Sequence, residues 1–375
     1  MNQPTFSVIL PCYNVVSYLK TCLDSIFINH MEGNELILIN DGSTDSFRDF
    51  CSTYFSIKIE ADSMELEYNG CKVIIINQTN HGVSYSRNRG IDVATCDYCL
   101  FVDPDDTVEK NWLSEITLAL SVHDYDMLLF GYLESKLDLQ GNIAYTQTIL
   151  PLENYSIQTR KDAITKLLPR YIGRSVQNVQ SLKRKDANLY LMEHHSVWRV
   201  AYHRDFLMNN HLRFPEQIVL NEDGIFNSNC IFHATQIATI MKPLYQYHIR
   251  PCGAFSLSAR EGETMVDNKI ALLHERLAIL NQLRQEQFEV GFELISGSTI
   301  LSIFEMLLQA PDQYARIKSE YVTQPEVLQM IKEMPYIHKL TFDGTLFLLK
   351  HRFYRLLRFI TCLARPLKRR LGNIR

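Results

Sequence analysis

The stretch from Leu100 to Val108, LFVDPDDTV, sets Asp103, Asp105 and Asp106 around one proline, at the end of an apolar run that reads as a buried strand. Carboxylates this close repel one another, so the turn calls for a cation. Hard divalent ions prefer carboxylate oxygens and usually take one or two from protein and the rest from substrate phosphates and water. In an open α/β sheet, ligands bind outside the carboxyl ends of the strands. A metal-bound diphosphate fits both the place and the chemistry. A plainer reading stands beside it: an acidic loop that caps the next helix through Asp106 or Thr107.

Two further groups extend the pattern. Gly82 opens a helix with Arg87 and Asn88 in its first turns, and a helix N-terminus with an arginine makes an anion site. Glu222 and Asp223 precede the apolar helical run Ile225 to Phe232. Acids at a helix start are commonly dipole and capping chemistry. A carboxylate on a rigid helix start, in a chain that also builds a metal and phosphate crevice, is equally the general base of a transferase.

The elements that must position these residues alternate. Phe6 to Leu10 is a short apolar strand, followed by Tyr13 and Asn14 on a turn and by Leu19, Leu23, Ile26 and Phe27 on one helical face. Glu35 to Asn40 is a second strand ending in DGSTD, where Asp41 and Gly42 turn the chain and Ser43 or Thr44 can cap a helix. Residues 57–70 read as an acidic excursion before the strand Lys72 to Ile76. Helix Glu109 to Val122, the DMLLFGY strand and a strand from Ile143 to Leu150 continue the series. Strand and helix in alternation predict an α/β fold, a mostly parallel sheet flanked by helices on both faces. The clusters at Tyr13, Asp41, Arg87 and Asp103 all fall at carboxyl ends of strands, so they converge on one crevice.

From Arg160 to Glu193 the pattern loosens, which predicts a flap or a linker. SVWRVAYHRDFLMNNHLRFPE returns to helical spacing, and PLYQYHIRP places His248 and Arg250 after a short aromatic strand. Beyond Ser258 the chain reads as helical, with Asp267 to Gln285, Phe292 to Gln309 and Pro325 to Met334 carrying apolar residues at helical spacing. The expected domains are 1–255 catalytic, 256–343 helical and 344–375 a basic tail.

Composition bounds the function. A chain of 375 residues suggests about two domains, and 46% hydrophobic with 21% charged residues marks a globular protein. Nine cysteines, an odd number without a framework, suit a reducing cytoplasm. Cys96 and Cys99 form a C-x-x-C that reads as strand and core, because no second pair follows at zinc spacing. The N-terminus has no basic region of a signal peptide, and nowhere do about 18 uncharged apolar residues run together. Any membrane contact is therefore expected to be peripheral, on the cytoplasmic side of the cell membrane. Net charge is −4, yet residues 350–375 hold nine Lys or Arg and no acid, which leaves −13 on the rest. An acidic body argues against nucleic-acid binding. In the tail, Leu356, Ile360, Leu363 and Leu367 share one helical arc and Arg355, Arg358, Arg365 and Arg369 the opposite one. Such a stripe either packs on the acidic body or lies on an anionic membrane surface.

SVILPCYN, NDGSTDS, NHGVSYSRNRGI, FVDPDD and NEDGIF, in this order, resemble the successive motifs of the family 2 inverting glycosyltransferases of bacterial surface-polysaccharide type, over roughly residues 5–255. The resemblance implies a GT-A nucleotide-sugar fold. It implies that Pro11, Tyr13, Asn14 and Asp41 hold the nucleoside, typically uridine, and that Arg87 and Asn88 line the nucleotide pocket. It further implies Asp103 near the ribose, Asp105 as the main ligand of Mn²⁺ or Mg²⁺, His248 completing the metal shell, Asp223 as catalytic base and Glu222 on sugar hydroxyls. The implied partners are a UDP-sugar donor and a glycan or lipid-linked acceptor. Of the rival functions, a nucleotidylyltransferase or a dinucleotide enzyme wants glycines after the first strand, and PCYN has none. A non-catalytic sugar-nucleotide-binding protein on the same fold is the alternative, and the presence of Asp105 and Asp223 counts against it.

Overall fold

Strands β1 (Phe6–Cys12) and β2 (Glu35–Asp41) are buried at every residue, which a strand can be only when both faces of its sheet are covered. The computed structural model describes residues 3–59, 61–175, 192–250, 262–288, 291–333, 340–352 and 355. They belong to two units, 1–164 with 195–253, and 165–194 with 254–375. Residues 165–194, expected inside the catalytic domain, thus go with the C-terminal unit.

The first unit adds, in chain order, α1 (Val16–Phe27), α2 (Phe47–Tyr54), β3 (Ser63–Tyr68), β4 (Cys71–Gln78), α3 (Val83–Val93), β5 (Tyr98–Phe101), β6 (Thr107–Val108) and α4 (Trp112–Leu120). Then follow β7 (Met127–Leu137), β8 (Ile143–Ile149), β9 (Ser156–Ile157), β10 (Val200–His203), α5 (Arg204–Asn209), α6 (Glu222–His233) and β11 (Ile237–Ile249). The sheet runs β3-β4-β2-β1-β5-β10-β7-β11-β6, with β8 on β7 and β9 on β11. Strands β4, β2, β1 and β5 are parallel, as are β7 and β11. The parallel order therefore holds through the half of the sheet that carries the polar strand ends, and the sheet as a whole is mixed. Helix α1 buries Leu19, Cys22, Leu23 and Ile26, a spacing of three and four that turns one stripe to the core. Cys99 is buried within β5 and Cys96 is half-buried just before it, both as free thiols.

Helix α3 lies unusually close to β1. A Cβ at Gly90 would stand 2.3 Å from Ile9 Cγ2, so only glycine permits the approach.

Four sequence expectations change. The acidic excursion contains β3, which pairs antiparallel with β4 as an edge strand. Its Glu65 and Glu67 obscured the strand pattern, and charges on an edge discourage pairing with other chains. Residues 197–209 are not one helix. Four of them form β10, antiparallel between β5 and β7 with Ala201 opposite both Leu100 and Leu128, and four residues are too few to show a period. Asp106 and Thr107 cap no helix, because Thr107 begins β6 and α4 starts at Trp112 after Asn111. In the stretch expected to be a flap, residues 160–170 are helical turns, and 176–191 lie outside the described residues.

The second unit contains α7 (Gly262–Gln285), α8 (Glu293–Gln309), α9 (Pro325–Glu333) and α10 (Leu340–Lys350). Helix α8 packs against the other three and buries Ile295, Ile300, Ile303, Met306 and Leu307. Residues 165–175 belong to this unit too, with Arg174 N donating to Ser298 Oγ at 2.7 Å. Among the described residues no helix is long and apolar enough to cross a membrane. The tail stripe from Leu356 onward lies outside them.

Candidate active site

The acidic turn is fastened from two sides. Val102 N donates to Ile9 O, continuing the β1 pairing past the end of β5, and β6 pairs antiparallel with Tyr245 and Gln246 of β11. Between these, the Tyr245 hydroxyl accepts from Asp103 N at 3.1 Å and donates to Asp106 Oδ2 at 3.0 Å. Asp106 Oδ1 accepts from His248 N at 2.8 Å. Trp198 stacks on the Tyr245 ring at 4.3 Å. Asp106 is thus an internal staple of the turn. Burial, and then the neighbouring Asp103, push its carboxyl up to about 8.

Asp105 points the other way. Its side chain is 43% exposed and its Oδ2 accepts from Arg250 Nη1 at 2.8 Å, while Arg250 Nη2 donates to the Asp105 carbonyl. Burial, then Asp106 and Asp103, raise the Asp105 carboxyl to about 6 against the pull of Arg250.

Asp41 fixes the start of α3. Its Oδ1 accepts from His81 N at 2.9 Å and from Gln78 Nε2 at 2.8 Å, and its Oδ2 accepts from Gly82 N at 2.8 Å. A carboxylate on those amides also complements the helix dipole. One turn into α3, the buried Arg87 reaches three acids at once. Nη2 donates to Asp103 Oδ1 at 3.0 Å, and Nη1 donates to Asp223 Oδ1 at 2.7 Å and to Glu222 Oε1 at 3.3 Å. The Phe214 ring lies 5.3 Å from the guanidinium carbon. The end of β5 and the start of α6 are therefore one side chain apart.

The start of α6 is shaped by Asn221, which takes the left-handed conformation at φ 70° and bonds His195 Nδ1 at 3.1 Å. Glu222 and Asp223 form the first turn itself. Asp223 Oδ2 accepts from Val197 N at 3.3 Å, so both carboxylate oxygens are oriented. Burial, and then Asp223, push Glu222 up to about 8 with Arg87 opposing. Burial also raises Asp223, again with Arg87 opposing.

The remaining expected residues divide. Tyr13 is 50% exposed beyond β1. Asn14, at φ 54°, ties the two loops together by accepting from Thr44 N at 2.8 Å and Asp45 N at 3.2 Å. Neither Ser43 nor Thr44 caps the helix that follows, since α2 has Ser46 at its N-cap and no side-chain cap bond; Asp45 Oδ2 instead accepts from Val16 N at the start of α1 at 3.0 Å. Pro11 is buried within β1. The Asn88 amide is engaged by the chain itself, donating to Phe214 O and Glu216 and accepting from Phe214 N at 2.7 Å. Tyr245 and the Val197 amide were missed by sequence reasoning. The alternation Tyr245-Gln246-Tyr247 marks a strand but not its bonds, and nothing in the sequence marks the Val197 amide.

The sequence profile of Glycosyl transferase family 2 matches residues 7–204, which takes in β1, the Asp41 loop, Arg87 and the acidic turn. The chain belongs to that family. Its relatives include EpsH of Bacillus subtilis (strain 168), 24% identical over 81% of this chain and 78% of that protein. Another is the glycosyltransferase YibD of Escherichia coli (strain K12), 28% identical over 65% of this chain and 61% of that one. Among solved structures, S. aureus TarS residues 1–349 in complex with UDP-GlcNAc shares the fold, with a TM-score of 0.55 at 17% identity, over 96% of this chain and 92% of that one. The protein is a family 2 glycosyltransferase with the GT-A layout.

A family 2 enzyme is expected to use a divalent ion, and the donor set at the turn suits one. Asp105 offers hard oxygen. His248 Nδ1 is buried with no hydrogen-bond partner among the described residues, 3.6 Å from Asp106 Oδ1, and burial, then Arg250, lower the pKa of the imidazole. Among the described residues no group of three or more His, Cys, Asp or Glu side chains is placed to hold a metal ion, so the fit is to an ion that takes its other ligands from substrate and water.

Proposed function

We propose that this glycosyltransferase moves a sugar, with inversion, from a UDP-sugar to a glycan or lipid-linked acceptor in surface polysaccharide synthesis. The observation that carries the reading is Arg87, which brings a donor-side acid, Asp103, and a base-side pair, Glu222 and Asp223, onto one guanidinium. Inversion needs the base and the leaving group on opposite sides of one small space.

In this reading Pro11, Tyr13, Asn14 and Asp41 form the nucleoside side. Asp105, with Asp103 beside it, would hold Mn²⁺ or Mg²⁺, which would supply Lewis-acid charge compensation to the leaving diphosphate; His248, whose Nδ1 lies against Asp106, would have to turn to join that shell. Asp223, fixed by Arg87 and the Val197 amide, takes the proton from the acceptor hydroxyl as that oxygen bonds to the anomeric carbon. Glu222 receives sugar hydroxyls. A positioned base of this kind contributes about 10²–10⁴-fold. The TarS complex with UDP-GlcNAc, on the same fold, supports a UDP-sugar as donor.

The test is release of UDP from a panel of UDP-sugars with Mn²⁺, Mg²⁺ or chelator, with and without acceptor glycans. Metal-dependent release from at least one donor supports the reading. Binding of UDP-sugar with no turnover under any condition identifies a non-catalytic binding protein instead. The basic tail extends the proposal to the inner face of the cell membrane, beside lipid-linked acceptors. Truncation after Arg352, which keeps α10 whole, is expected to abolish sedimentation with anionic liposomes at low salt and to spare transfer to soluble acceptors. Equal sedimentation removes the membrane role.

A further inference from the structure

The chain supplies its own cation to Asp105. Arg250 donates to the Asp105 carboxylate at 2.8 Å, to the Asp105 carbonyl and to His248 O at 3.2 Å, and its guanidinium carbon lies 4.3 Å from the centre of the Tyr18 ring. Among the described residues no other cation answers this acid. Asp106 is bonded by a hydroxyl and a backbone amide, both neutral, and Arg87 on Asp103 is shared with Glu222 and Asp223. A divalent ion and a guanidinium on the one Asp105 carboxylate repel each other, so each weakens the other's hold. Arg250 has somewhere to go once a diphosphate arrives, because a guanidinium fork matches phosphate oxygens as well as carboxylate. The pair stands at the open edge of the turn, with 15% and 43% of the two side chains exposed, so parting them needs no opening of the core.

We propose that Arg250 is an exchangeable counter-ion, holding Asp105 in the empty enzyme and passing to the donor's diphosphate as the divalent ion takes Asp105. The inference rests on the assignment of Asp105 as metal ligand. Ion and nucleotide then bind cooperatively, each clearing the way for the other, and the coupling is reciprocal. The Tyr18 ring, facing the guanidinium, favours the empty-state position.

The experiment is calorimetry on the full chain with Mn²⁺ alone, UDP alone and Mn²⁺ in the presence of UDP. Wild type is expected to bind Mn²⁺ at least ~10-fold more tightly with UDP than without it, within the usual range of couplings. Arg250→Ala is expected to bind Mn²⁺ alone ~10-fold more tightly than wild type and to lose a matching part of the UDP effect. Tyr18→Leu keeps the charge but removes the ring, and is expected to shift Mn²⁺ binding in the same direction by less. It carries the test if Arg250→Ala does not fold. If wild type binds Mn²⁺ and UDP together but neither variant tightens Mn²⁺ alone, the exchange is wrong and the metal assignment survives. If wild type binds no Mn²⁺ even with UDP, the metal assignment falls and the exchange with it.

Discussion

Arg87 meets Glu222 and Asp223 with its side chain 4% exposed and theirs at 14% and 17%, whereas Arg250 meets Asp105 at 15% and 43%. Both arginines answer acids at the same end of the sheet. The first pairing is closed off from water, so losing either partner strands a buried charge, and such losses are severe. The second opens to solvent, where an ion pair adds little. The site therefore combines a fixed half, which orients the base, with a loose half that can accept an arriving charge.

The widest separation between the halves should appear on removing each arginine. Arg87→Met is expected to cost about 3–5 kcal/mol of stability and Arg250→Met about 1 kcal/mol or less, both read from urea denaturation. Equal losses would erase the distinction. Next in size is Asp223→Asn, which keeps the shape but cannot take a proton. Its kcat should fall about 10²–10⁴-fold with UDP affinity unchanged, a split that marks a transition-state role. Near-normal turnover moves the base to Glu222.

On the loose side, Asp105→Ala should remove the Mn²⁺ benefit to UDP binding, at least ~10-fold or about 1.4 kcal/mol, while binding in chelator does not fall, because the freed Arg250 meets the diphosphate without competition. Calorimetry that finds the same Mn²⁺ benefit in the variant removes Asp105 from the metal site. The last comparison is the pH dependence of the fixed half. The Glu222–Asp223 pair binds protons more tightly folded than unfolded, with Glu222 near 8. Stability from this source is full below the ordinary carboxyl range and is lost as pH rises through about 8. Transfer runs the opposite way, rising with pH as the pair ionises, with apparent values that belong to the pair. Glu222→Gln should flatten the stability slope, and an unchanged slope would assign it to Asp106, which is raised the same way.

The parallel strands were legible because each is a fully apolar run ending in polar residues, as with ELILIN before Asp41. The acidic turn and the Glu-Asp pair were legible because like charges in sequence demand an explanation. What stayed hidden was pairing across distance. Nothing in YQY announces that Tyr245 bonds Asp103 and Asp106, some 140 positions earlier. Nor could VAYH show that a strand enters between β5 and β7 and delivers the Val197 amide to Asp223. Arg87 was found as an anion ligand from its place near a helix start, but that its partners are the enzyme's own acids depends on three chain segments meeting.

The glycine at position 90 gives this arrangement an unexpected weak point. It touches no acid, yet the width of one methyl group there decides how near α3 lies to β1, and the reach of Arg87 is measured from that helix. In a library randomised at Gly90, even alanine would lever the guanidinium away from Asp103 and Asp223 together. Selection for transfer should return glycine alone, at a site that a map of active-site contacts leaves blank.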